Sequence, residues 1–187
     1  MEALDRLPGL KVAVHWRARP DDRRSFPVTA LSPLAGVEGV SLASVQEGGA
    51  EEAAEANLSL LDLGPAVAEG PTDYETLAAV LRGVDLVVTN DGPVAHLAGV
   101  LGVRAWVALP VGPEWPWAGD REDSPWYPSL RLFRQRRADD WSDVFRLMET
   151  ELKVELAARH AARIGAVPTP GLEDDRGGTP LDGEPTL

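Results

Sequence analysis

The chain has 187 residues, 30 of them acidic and 18 basic, for a formal charge of -12, and it contains no cysteine. So acidic a surface argues against general nucleic-acid or anionic-membrane binding, and the lack of cysteine removes disulfides, thiolate chemistry and Cys-based metal sites. No apolar run approaches the ~20 residues of a membrane span, and the amino terminus is acidic where a signal peptide would be basic, so the expected location is the cytoplasm.

After a lead-in over residues 1–9, Leu10 to Trp16 (LKVAVHW) reads as a first buried strand, introduced by the Pro8-Gly9 turn. Arg17 to Arg24 follows as a loop with Arg17, Arg19, Arg23 and Arg24, a basic cluster on an acidic background. Pro27 to Leu34 can form a short helix, and Gly39 to Gln46 a second strand that ends at the Gly48-Gly49 break. Ala50 to Ala56 has high helix propensity, and Leu58 to Leu63 reads as a third strand. Thr72, with Glu75 three residues on, makes a capping box for a helix whose apolar face is Leu77, Val80 and Leu81.

Asp85 to Gly102 organises the chain. Leu86, Val87, Val88 and Thr89 form a fourth strand that runs through the turn Asn90-Asp91-Gly92-Pro93 straight into a helix, with Val94, Leu97, Ala98 and Leu101 on its inward stripe. In a parallel sheet such a junction aims the first free amides of the helix at the ligand crevice, where phosphate is the natural guest. Either Asn90 or Asp91 could instead simply cap the helix, with Pro93 tolerated in its first turn.

Arg104 to Leu109 is a fifth strand, and Pro110 to Pro128 is a long loop holding Trp115, Trp117, Trp126, Tyr127 and five prolines. A long aromatic loop in a compact domain is usually functional. Arg131 to Gln135 reads as a last short strand, and Asp140 to Ile164 as a long helix with one apolar face. Residues 165–187, rich in Pro, Gly and acid, are expected to be a disordered tail. The alternation of strands and helices predicts an α/β domain over residues 10–164, a Rossmann-like parallel sheet with helices on both faces. Walker, Gly-x-Ser-x-Gly and Gly-x-Gly-x-x-Gly motifs are lacking, as is His or Asp spacing suited to a metal, so no metal ligand and no cofactor is assigned.

TNDGPVAHLAGVLG, the loop PVGPEWPW, and DSPWYPSLRLFRQ followed by DDW resemble the carboxyl-terminal part of bacterial glycosyltransferases that are often fused to tetratricopeptide repeats and are similar to the family 9 heptosyltransferases. The resemblance covers about Leu10 to Phe145. It implies a single half of a GT-B enzyme, the donor domain for a nucleotide-diphosphate sugar. The acceptor would be held by a separate domain or by a tetratricopeptide-repeat protein.

On this resemblance Asp91 and His96 match the family's Asp and the His five positions later. Gly92 and neighbouring amides, Val94 included, would contact the donor diphosphate. Arg24 and Ser25, followed by an apolar residue and Pro27, match its Arg-Ser-Ile-Pro, with Arg17 in the same basic loop at the sheet's carboxyl edge. Cations or aimed dipoles are what a departing nucleotide diphosphate needs. Trp115 and Trp117 would stack on the donor base or sugar, whereas Trp126 and Tyr127 are expected to pack. No catalytic residue is assigned. The loop between Trp16 and Arg24 is shorter than in relatives and lacks their lysine, which suits the alternative of a degenerate, non-catalytic nucleotide-sugar-binding or protein-interaction module.

Overall fold

The computed structural model describes residues 2–18, 22–68, 74–113, 115–117 and 119–165. Six strands make one wholly parallel sheet: β1 (Leu10–His15), β2 (Val40–Ser44), β3 (Leu61–Asp62), β4 (Leu86–Asn90), β5 (Ala105–Leu109) and β6 (Leu130–Arg134). Their spatial order is β3-β2-β1-β4-β5-β6. β4 and β5 are buried along their whole length, which is why they read as continuous apolar runs rather than alternating ones.

Among the described residues seven α-helices connect and cover the strands: α1 (Glu2–Asp5), α2 (Ser32–Ala35), α3 (Gly49–Glu55), α4 (Gly64–Ala68), α5 (Tyr74–Arg82), α6 (Pro93–Val100) and α7 (Ser142–Gly165). One face of the sheet (Val12, Val14, Leu86, Val88, Trp106) is closed by Leu31, Leu34, Ala53, Phe145, Met148 and Leu152, from the α2, α3 and α7 side. The other face (Ala13, Val87, Ala105, Val107) is closed by Leu4, Leu77, Leu81, Val94 and Ala98, from α1, α5 and α6. The Rossmann-like architecture expected from the alternation is therefore present, with helices on both faces.

Several elements differ in extent. The segment read as a lead-in carries α1, whose Leu4 is fully buried. The third strand shortens to two residues, because Leu58 still donates its amide to Ala53 O (2.8 Å) at the end of α3 and only Leu61 and Asp62 reach β2. An unexpected α4 follows, its entry fixed by Asp62 Oδ1 accepting from the Gly64 amide (3.0 Å). Pro27 to Leu34 divides into a 3-10 turn (Val28–Leu31) and α2. Thr72, and with it the expected capping box, lies outside the described residues, as do Arg19 and residues 166–187.

The order places β1 beside β4, with successive crossovers running outward in opposite directions from that pair. This is the topological switch point, the place where open α/β sheets bind ligands beyond their strand ends. His15 ends β1 there, and Asn90 ends β4.

Candidate functional site at the switch point

The turn from β4 into α6 is built by Asn90, Asp91 and Gly92. Neither Asn90 nor Asp91 caps the helix: Gly92 is the N-cap, in extended conformation (φ -170°), and brings no capping side chain, while the Ala95 amide bonds back to Gly92 O (3.0 Å). Pro93 at the first position has no N–H to satisfy. Val94 turns its side chain into the core, so its amide is the group it can offer at the helix terminus.

Asp91 is kept off those amides by a buried hydrogen bond, in which Trp117 Nε1–H donates to its Oδ1 at 2.7 Å. Trp117 is 1% exposed, so its ring is closed to a base or sugar. Instead it carries His96, stacked at 5.1 Å and 27°. His96 Nδ1 meets the Tyr127 hydroxyl at 3.2 Å, and Arg134, at the end of β6, donates to Trp117 O at 2.7 Å. The aromatic loop is thus pinned to α6 through Trp117 and Tyr127. Trp115 and Trp126 lie outside this cluster, 75% and 58% exposed, edge to face at 5.9 Å. Trp126 was expected to pack and does not; Tyr127 does.

The basic loop is committed largely to its own carboxylates. Arg17 pairs with Glu52 through Nη1 and donates to Glu47 O (2.9 Å) through Nη2, while its amide bonds to Gln46 Oε1 (3.0 Å). Glu52 also accepts from Trp16 Nε1 at 2.7 Å. Arg24 forks onto Asp22, with Nε 2.9 Å from both carboxylate oxygens. Ser25 braces the loop, its Oγ accepting from the Ala18 amide (2.9 Å) while Phe26 N bonds back to Trp16 O (3.0 Å).

From the sequence Asn90 is a candidate helix cap, and His15 carries no role. His15 Nδ1 stands 3.0 Å from Asn90 Oδ1. With Oδ1 turned to the ring, the matching tautomer is the one protonated at Nδ1. Burial lowers the His15 pKa below its ordinary value; the bond to Asn90 opposes this and the nearby Arg17 charge adds to it. The ring is therefore neutral at pH 7. The available signal was positional: a polar residue closing an apolar strand at the ligand-binding edge of a parallel sheet.

The structure thus gathers Asp91, Gly92, Val94, His96 and Trp117 around the start of α6, with His15 and Asn90 beside them and Arg17 near His15. These groups offer hydrogen-bond donors and a buried carboxylate. Among the described residues no group of three or more His, Asp or Glu side chains is placed to hold a metal ion, and no helix is long and apolar enough to cross a membrane.

No family model matches the sequence. Protein FlbA of Caulobacter vibrioides is 28% identical over 153 residues, which make up 78% of this chain and 25% of FlbA. Among solved structures, the fold is similar to E. coli ADP-heptose lipopolysaccharide heptosyltransferase II, with a TM-score of 0.54, 15% identity, and coverage of 82% of this chain and 48% of that one. It is also similar to E. coli heptosyltransferase WaaC, solved with ADP, with a TM-score of 0.50, 18% identity, and coverage of 80% and 46%. The chain spans a quarter of FlbA and just under half of each heptosyltransferase. What it shares with those structures is the Rossmann-like α/β fold.

Proposed function

We propose that this chain is the donor domain of a cytoplasmic, metal-independent GT-B glycosyltransferase, binding a nucleotide-diphosphate sugar for transfer to an acceptor held by a separate domain or a tetratricopeptide-repeat protein. The observation that carries this is the N-terminus of α6 at the switch point, without a side-chain cap and with Asp91 drawn aside by Trp117. The Ala95 amide bonds back to Gly92 O (3.0 Å) and Pro93 has no N–H, so the Val94 amide and the helix dipole are what favour a phosphoryl group there. The likeness in fold to heptosyltransferases, one of them solved with ADP, supports the same assignment. Asp91, Gly92, the Val94 amide and His96 would line the donor side, and of the two rings first expected to stack, Trp115 is the one left open.

A specific observation favours a second function, that of a non-catalytic binding module: Arg17 and Arg24 are already engaged by Glu52 and Asp22. Isothermal titration with UDP-, ADP- and GDP-sugars tests the first, with micromolar binding of one of them expected. Gly92→Val is the informative variant, because extended backbone accepts any residue and the added Cβ would stand 3.4 Å from Asn90 Oδ1, at the mouth of the site. It should weaken binding about tenfold or more with little change in melting temperature. Silence across the panel rejects the donor role. Binding that is unmoved by Arg17→Ala shows that the guanidinium serves Glu52 rather than the ligand.

A further inference from the structure

We infer that Asn90 is a ligand-reading residue, its side-chain Nδ2 donating to a phosphoryl oxygen of the bound molecule, and that His15 is the positioning residue that holds the amide in that orientation. This rests on the proposed donor role and assigns two residues that neither the resemblance nor the comparisons single out.

Asn90 is fully buried at the end of β4. Its Oδ1 faces His15 Nδ1 at 3.0 Å, and the Thr89 hydroxyl lies 3.2 Å from Asn90 O and 3.4 Å from Oδ1. The amide's other end, Nδ2, is buried with no hydrogen-bond partner. A buried donor left unmet is costly, and native structures generally fill such positions with a ligand or water. The place is telling. A Cβ built on Gly92 would lie 3.4 Å from Oδ1 and 3.9 Å from Nδ2, so the whole side-chain amide sits against the N-cap of α6.

Nδ2 and the Val94 amide thus offer donors from two elements at the start of α6, next to the Asp91 carboxylate whose Oδ1 is taken up by Trp117. An amide flipped by 180° would turn Oδ1 toward the same spot and repel an anion. His15 decides between the two orientations. With His15 in the Nδ1–H tautomer, Oδ1 is the amide end that accepts from it and Nδ2 is the end left for the ligand.

The test is isothermal titration of the full chain with ADP, UDP and GDP, the matching nucleosides, and inorganic pyrophosphate. The proteins are wild type, Asn90→Asp, the near-isosteric Asn90→Leu, His15→Phe and the double variant His15→Phe/Asn90→Leu. Folding is checked by circular dichroism, and Asn90→Leu covers the case in which a buried carboxylate does not fold.

The expected result is a loss of about ten- to a hundredfold in diphosphate affinity for either Asn90 variant, the worth of one hydrogen bond to a charged group, with nucleoside affinity nearly unchanged. His15→Phe should weaken diphosphate binding in the wild-type background and cost almost nothing further in the Asn90→Leu background, since its effect passes through the amide. Equal losses for nucleoside and diphosphate, additive effects of the two substitutions, or unchanged affinity overturn the assignment while leaving the donor role standing. Pyrophosphate binding that depends on Asn90, without nucleotide binding, supports the phosphoryl contact and rejects the donor role. A wild type that binds none of the probes overturns both.

Discussion

Trp117 shows how much one side chain can settle about the site. Its indole N–H meets the buried Asp91 carboxylate at 2.7 Å, and its ring is the surface on which His96 stacks. Trp117→Phe keeps most of the packing and deletes the donor, leaving Oδ1 of a buried carboxylate without that hydrogen bond. The expected cost is about 1–3 kcal/mol in urea unfolding. Asp91→Asn, which keeps an acceptor for the indole, should cost less, and a double-mutant cycle of the two should be strongly non-additive. Additive effects would mean that the hydrogen bond does not organise the turn. The residues of the motif could be found from the sequence, but their roles could not. Nothing in WPW or SPWYP says which ring turns inward, because a proline-rich loop has no period to place its side chains on a face. Hence Trp117 and Trp126 exchange their expected positions.

At the scale of elements, α6 is held to the aromatic loop by close contact at Gly99. A Cβ there would fall 2.4–2.9 Å from Cγ, Cδ1 and Cβ of Tyr127, the residue whose hydroxyl meets His96. In an exposed helix, Gly→Ala stabilises by about 1 kcal/mol. Here overpacking reverses the sign, and Gly99→Ala should destabilise by roughly 1–3 kcal/mol, read as a lower urea midpoint at unchanged slope. A rise in midpoint would show that Tyr127 moves aside freely. The strands β1, β4 and β5 were legible because burial on both faces demands unbroken apolar runs, and the parallel alternation followed from them. Short elements were less legible. β3 is an edge strand with one neighbour, so its apolar run Leu58–Leu63 is divided between α3 and the sheet. The helix cap was undecidable because Asn90, Asp91 and Gly92 are all acceptable at that position.

Across the whole molecule, α7 staples the sheet edge opposite the site. Its Glu151, Glu155 and Arg159, spaced four apart along one face, pair with Arg131 of β6 (2.8 Å), Arg104 just before β5 (2.5 Å) and Asp85 just before β4 (2.9 Å). Burial acts to raise the pKa values of Asp85 and Glu155, yet hydrogen bonds from Lys11 and Arg159 to the first, and from Arg104 and Arg159 to the second, leave both below their ordinary values of 3.8 and 4.5. At the other edge, burial holds His15 below its ordinary 6.5. All three shifts have the same linkage sign: the unfolded chain takes up the proton at a higher pH than the folded one, so stability falls on acidification. The windows differ. The His15 contribution is complete above 6.5 and is lost as the pH falls from there through its depressed folded value. The carboxylate contributions persist to about pH 4.5 and are lost below it as each folded pKa is passed. Urea midpoints measured from pH 7.5 to pH 3 should therefore decline in two stages. His15→Phe should flatten the first stage and leave the second, while Arg159→Ala should shrink the second and leave the first, because the two edges share no partner. A wild-type midpoint that stays level between pH 7 and pH 5, or an equal decline in His15→Phe, would show that the switch-point histidine is not kept neutral by the fold.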